Sequence, residues 1–217
     1  MSPRSPIASD VSTPLVTPIR ERFRREVAGA IAAAAEEVFA EKGLHSAHVD
    51  QIAKRAGVAV GTLYNHYADR DALLAALLRD RGDELVATLN GAIASGEGQS
   101  LRTQLYAFVE AYFFFFVAHR PYFKMLLEGE LAQLQSTYPR SAVIPVRCHQ
   151  TILQQLEGLF HRAIDTQQLR ADRADLYPWL LLGMMRSVAV RDLRKYKAYK
   201  AADGAEIVNV FLGGAGA

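Results

Sequence analysis

Apolar residues recur at intervals of three and four along almost the whole chain, and the strict alternation of a half-buried strand is absent. Val27, Ile31, Ala34, Val38 and Phe39 mark a first helix, with Thr17-Pro18 as its N-cap and first helical residue and Gly43 as its stop. Starting at Pro18 it would be about 37 Å long, with its first turns overhanging the core. Val49, Ile52, Ala53 and Ala56 mark a short second helix that starts near His48 and ends at Gly57. The pattern restarts at about Val60 with Leu63 and Tyr67. Asp69 caps a fourth helix with Leu73, Leu74, Leu77, Leu78, Leu85 and Leu89 on its buried stripe, and the Gly-rich residues 91–99 read as a loop. Ser100 caps a fifth helix, which Arg120-Pro121 breaks, and a short helix over 122–134 follows. The polar, proline-marked residues 135–145 read as a flexible lid. Further helices are expected over 145–166, from an Asp175 cap with Pro178 in the first turn, and over 205–212.

The fold class is therefore all-α, without internal repeats. The two short helices that meet within residues 48–67 are joined by so tight a turn that they must cross steeply, the helix-turn-helix geometry that pushes a second helix into a DNA major groove. That second helix carries Thr62, Tyr64, Asn65 and His66. The chain divides into a disordered arm over 1–17, a three-helix helix-turn-helix head over 18–84 and a C-terminal helical domain over 85–217.

Residues Ile52-Ala53, Ala56-Gly57-Val58, Gly61-Thr62-Leu63-Tyr64 and His66-Tyr67 together resemble the DNA-binding signature of the tetracycline-repressor (TetR) family of bacterial regulators. The likeness continues upstream in VFAEKG, 38–43, and downstream in DRDALLAALL, 69–78, and covers about residues 24–84. The resemblance implies a dimeric regulator that binds a near-palindromic double-stranded operator and is released by a small molecule. The positions matching the family's DNA contacts are His48, Val60, Gly61, Thr62, Tyr64, Asn65 and His66, with Arg70 just beyond. It puts Tyr64 and His66 on phosphate and Val60, Gly61 and Thr62 toward bases, which agrees with the donor chemistry phosphate needs. Three positions depart from the pattern: His48 where Thr usually caps, Ala59 where Ser is common, and Val60 where a polar residue is usual. Gln51 or Ser46 would have to compensate for the lost cap at His48. These departures keep open an all-helical ligand-binding or catalytic protein with a vestigial helix-turn-helix.

Composition narrows the picture further. The chain has 217 residues, half of them hydrophobic, and a net charge of +2. Residues 1–70 hold nine Lys/Arg against eight acids, so only the clustered Arg20, Arg22, Arg24 and Arg25 argue for phosphate. The N-terminal stretch, rich in Ser, Pro and Thr, lacks a signal pattern, and no apolar run approaches a membrane span, so a cytoplasmic location without membrane association is expected. A single cysteine, Cys148, excludes an internal disulfide. Cys148, His149, Glu157 and His161 complete no metal-ligand motif, and neither a catalytic motif nor a cofactor-binding one occurs, so no enzyme, cofactor or metal is expected.

In the C-terminal domain, Tyr112, Phe113, Phe116, Tyr122, Phe123, Trp179 and Met184 are candidates to line a cavity for a largely apolar effector, although such clusters also make plain core. The family's dimer interface lies on its last two helices, which assigns Leu180, Gly183, Val188 and Phe211 to it here. The basic run Arg186, Arg191, Arg194, Lys195, Lys197 and Lys200 reads as a solvated helix end, with an anionic ligand or a membrane surface as the alternatives.

Overall fold

A computed structural model describes residues 19–134, 146–195 and 199–215; the arm, the Thr17-Pro18 cap, the 135–145 connection and Lys197 lie outside the described residues. Among these residues nine helices follow one another: α1 (Ile19–Lys42), α2 (Val49–Ala56), α3 (Val60–His66), α4 (Arg70–Ser95), α5 (Leu101–Ala118), α6 (Arg120–Leu134), α7 (Val146–Asp165), α8 (Tyr177–Lys195) and α9 (Ala201–Ala215).

The head forms because the apolar faces of four helices converge. Ile31, Ala35, Val38 and Phe39 of α1, Ile52 and Ala53 of α2, Leu63 of α3 and Leu73, Leu74 and Leu77 of α4 are all buried. Residues 19–26 of α1 are all exposed, so its first two turns overhang, and Val27 is the first residue to pack on the core. α4 is 26 residues long, about 39 Å. It leaves the head to pack on α5 and α7, while α9 covers α5 and α8 lies against α7 and α9.

Several boundaries differ from the sequence expectation, and α6 starts at Arg120 rather than 122, with Pro121 in its first turn where a missing N–H costs little. α4 runs through Gly91 to Ser95 because one helical glycine costs only about 1 kcal/mol, and Leu89 and Ile93 continue its buried stripe. α8 starts at Tyr177, two residues after Asp175; the Leu176 carbonyl accepts the first bond, from the Leu180 N–H at 2.9 Å. α9 starts at Ala201 and reaches Ala215, and Asp203 in its first turn is held by Arg191 at 2.7 Å.

Two buried groups tie distant elements. Glu36 of α1 is 6% exposed, and its Oε2 accepts from Arg81 Nε and Nη2, both at 2.9 Å. Arg81 Nη1 also donates to Glu84 Oε2 at 2.8 Å, and His119 Nε2 lies 3.6 Å from Glu84 Oε1. A charge of this kind tolerates burial only when its partner's fork meets it. The Cys148 thiol donates to the Gly82 carbonyl at 3.4 Å, fastening α7 to α4. Burial, with Asp83 adding to it, pushes that thiol from its ordinary 9 up to about 11.

Two outcomes follow. Asp69 accepts the Ala72 N–H at 2.7 Å as the N-cap of α4, so Asp69→Ala removes a made bond. Stability should fall by about 1 kcal/mol, or about 2–4 °C in a thermal melt, and an unchanged melting point would show that the cap contributes nothing. A thiol reagent at about pH 8 should modify Cys148 about 100-fold more slowly in the folded chain than in denaturant, because the raised pKa starves the site of thiolate. By linkage, the thiol's contribution to stability is fully present below pH 9 and lost as pH rises through about 11. Equal labelling rates would contradict the burial.

Candidate nucleic-acid interface

The helix-turn-helix is built mostly from backbone geometry. Gly57 takes φ 70°, a left-handed conformation that costs glycine nothing, and its N–H and that of Val58 bond back to Lys54 and Ala53 carbonyls at 3.3 and 3.0 Å. His48 is the N-cap of α2 in extended conformation, and its N–H reaches Gln51 Oε1 at 3.4 Å, a long bond that makes the compensating arm weak. Ala59 caps α3 with its carbonyl alone, accepting from the Thr62 and Leu63 N–H groups at 2.9 and 3.3 Å; it offers no side-chain cap.

Leu63 at 0% exposure pins the inner side of α3. The helical period then turns Gly61, Tyr64 and Asn65 outward, with Val60, Thr62 and His66 on the flanks. Tyr64 is half exposed. The outer side of α3 therefore offers phenol, amide, imidazole and hydroxyl groups and carries no carboxylate. His48 is exposed at the start of α2.

Arg70 behaves differently from the sequence expectation. Its guanidinium donates to the Leu44 carbonyl, pairs with Asp71 at 3.2 Å and lies 5.7 Å above the Phe39 ring. It is committed to the protein, holding the α1–α2 turn against α4. The same turn is held from the other side: the Leu44 N–H donates to Glu128 Oε1 of α6 at 2.8 Å, and Lys124 Nζ donates to the Ala40 carbonyl. On the surface, Arg55 of α2 bonds both oxygens of Glu41 at 2.8 Å, which holds the Glu41 carboxyl below its usual range. Glu128 and Lys124 carried no signal in the sequence, because their partners are 84 positions away.

In the C-terminal domain five of the seven effector candidates come together and two do not. Phe116 is the hub, with ring centroids of Phe123 at 4.4 Å, Tyr112 at 4.6 Å and Tyr122 at 6.2 Å, and Phe113 lies 5.4 Å from Tyr112. All five are buried. Trp179 and Met184 stand on another side of α8, along an open groove of about 610 Å³ between α8 and α9 that they share with Leu180, Gly183, Val188 and Val210. Trp179, Leu180 and Val210 are 56%, 52% and 55% exposed. Phe211, grouped from the sequence with the dimer positions, faces inward at 4% exposure, its ring 5.4 Å from Phe160 and 5.9 Å from Tyr177. The one-residue offset from Val210 to Phe211 rotates a helical side chain by about 100°, from groove to core. Among the described residues no three His, Cys, Asp or Glu gather as metal ligands, and no helix is long and apolar enough to cross a membrane.

Known proteins share both the motif and the architecture. The family profile described as bacterial regulatory proteins, tetR family, matches residues 31–77, from the buried half of α1 into α4. The HTH-type transcriptional activator FasR of Mycolicibacterium smegmatis is 36% identical over 113 residues, 49% of this chain and 48% of its own length. The fatty acid metabolism regulator protein of Bacillus subtilis is 40% identical over 53 residues, 24% of this chain and 27% of its own. The chain thus matches at most about half the length of these relatives. Among solved structures, the fatty acid degradation regulator FadR of Bacillus halodurans superposes with a TM-score of 0.73 at 23% identity, over 86% of this chain and 98% of that one. FadR of Bacillus subtilis, in complex with stearoyl-CoA, gives 0.73 at 20% identity with the same coverage. At such identity the superpositions speak for the fold, and the profile match speaks for the head: residues 31–77 carry the DNA-binding domain of the tetR family of bacterial regulatory proteins.

Proposed function

We propose that this protein is a homodimeric transcriptional regulator in the cytoplasm, a repressor that binds a near-palindromic double-stranded operator and is released by a small, largely apolar molecule. The carboxylate-free outer side of α3, exposed through Gly61, Tyr64 and Asn65, is the observation that carries this reading. Tyr64 and His66 donate to phosphates, and the exposed His48 at the start of α2 is a third donor. Gly61 brings the backbone close to the groove, Thr62 reads a base edge, and the half-buried Val60 offers contact suited to a thymine methyl. Arg70 acts as a brace within the head. In this division the head spans 18–84, the effector and dimerisation domain spans 85–217, and α4 belongs to both.

A second copy of the chain is the occupant we assign to the α8–α9 groove. Its exposed Trp179, Leu180 and Val210 lie side by side, an apolar concentration rare on monomers. Gly183 has open space where a Cβ would stand, which suits close helix approach. A two-fold pairing there also supplies the two heads that a single short recognition helix needs for useful specificity. The buried cluster around Phe116 supports an apolar effector, as does the stearoyl-CoA bound to the Bacillus subtilis neighbour. The regulator names of the relatives support binding rather than catalysis as the activity.

Titration against the DNA upstream of its own gene should show sequence-selective binding that weakens steeply as salt rises. His66→Ala and Tyr64→Phe should weaken it on all sequences alike, and Thr62→Ala should alter base preference by about 1–3 kcal/mol at one position. Absence of any sequence preference at low and high salt would favour a vestigial head.

In sedimentation, Leu180→Glu and Val188→Glu should give folded monomers that no longer hold the operator, since each places an unpaired charge in the seam. Phe211→Glu should instead lose helical structure, because its ring fills the interior against Phe160 and Tyr177. Intact dimers for both groove variants would place the interface elsewhere.

A further inference from the structure

A small recess between α5, α6 and α8 holds a chemistry that neither the DNA interface nor the dimer groove uses. Its volume is about 30 Å³, room for one water-sized group, and Phe113, Phe116, Phe123, Tyr199, Arg120 and Asp192 line it. Asp192 is 6% exposed. Its Oδ1 accepts from Arg191 Nε at 2.8 Å and Nη2 at 2.7 Å, while its Oδ2 is buried without a hydrogen-bond partner. A buried carboxylate oxygen left in this condition is costly unless a donor reaches it. Arg120 also lines the recess and has an interaction of its own, and the polar atom left open there is the acceptor Asp192 Oδ2.

The walls select among donors. The Phe113 and Tyr199 rings stack at 4.2 Å, 7° from parallel, and Phe116 meets Phe123 at 4.4 Å. These rings leave the recess few polar partners besides Asp192, and a charge-assisted bond to a carboxylate is about twice as strong as one from a neutral donor. The Tyr199 hydroxyl is itself bound to Glu110, which adds a second carboxylate nearby. An ammonium group has the size of a water molecule. We infer that this recess binds the ammonium head of an apolar amine at Asp192 Oδ2, with the hydrocarbon part outside the water-sized space.

The inference rests on reading the C-terminal domain as an effector-binding body, and it supplies that body with a route outward. Arg191, which grips Asp192, also binds Asp203 of α9 at 2.7 Å and lines the α8–α9 groove. A cation at Oδ2 shares the carboxylate that anchors Arg191, so occupancy of the recess is felt on the groove. A ligand shifts such an arrangement only by its differential affinity for the two states.

The test is the melting point of the full chain without DNA in hexylammonium, hexanol and hexanoate. Hexylammonium near saturation should raise it by about 2–4 °C, hexanol by less and hexanoate not at all. The amine response should vanish in Asp192→Asn and persist in Asp203→Asn, which also strips a carboxylate from Arg191 but leaves the recess lining intact. Equal shifts from amine and alcohol would reduce the recess to apolar filling and overturn the proposal. So would a larger shift from hexanoate, which would make Arg120 the anchor, or an undiminished amine response in Asp192→Asn. Should Asp192→Asn fail to fold, the head-group series on the unaltered chain decides alone. Operator affinity is measured separately. Lack of an amine response with intact DNA binding removes this inference only, and an amine response in a chain that ignores DNA removes the regulator reading only.

Discussion

The backbone of one residue, Leu44, is held from two sides, by the head and by the body. Its N–H is held by Glu128 of α6 and its carbonyl by Arg70 at the start of α4, four residues after α3 ends. Leaving either backbone group of this buried residue unpaired costs about 1–3 kcal/mol, so the turn between α1 and α2 is fixed only while α6 and α4 keep their places. Gly43 just before it takes φ +85°, and a Cβ there would stand 2.8 Å from Glu128 Oε1. Glycine thus serves twice at this position, for the left-handed turn and for the approach of the carboxylate.

This joint explains why the head can be small. α2 and α3 have 8 and 7 residues, far below the length at which isolated helices persist in water. Their caps are also weak, since Ala59 supplies no side chain to α3 and Gln51 reaches His48 at 3.4 Å. What holds them is burial of Ile52, Ala53 and Leu63 on an α1 that is itself pinned at its far end by Glu36–Arg81 and by Lys124. The departures from the usual capping residues are tolerated because tertiary contacts carry the stability that local capping would have added.

The C-terminal domain divides its aromatic residues by side. One set, around Phe116, faces inward and leaves a recess with an unsatisfied carboxylate oxygen. The other, with Trp179, faces out along α8. Arg191 lies between the two, bonded to an inner and an outer acid, so the interior and the groove share one guanidinium.

Much of this was legible in the residues alone. The apolar spacing of three and four marked the helices and their buried stripes in α4 and α5, and Gly57 marked the turn into α3, because periodicity and left-handed glycine are local properties of the chain. The motif of α2 and α3 was legible for the same reason. Which way a wholly apolar helix faces is not local. Between Trp179 and Val190 of α8, and again over 207–212 of α9, nearly every position is apolar, so the sequence grouped Trp179 with Phe116 and Phe211 with Val188, and only the packing of the helices separated them. Arg70, next to α3 in sequence, turned inward because a carbonyl 26 positions earlier lay within its reach. Glu128, Glu36 and Asp192 were likewise ordinary acids in the sequence. Their roles depend on partners brought near by the fold, since a hydrogen bond is decided by distances of about 3 Å that no residue order specifies.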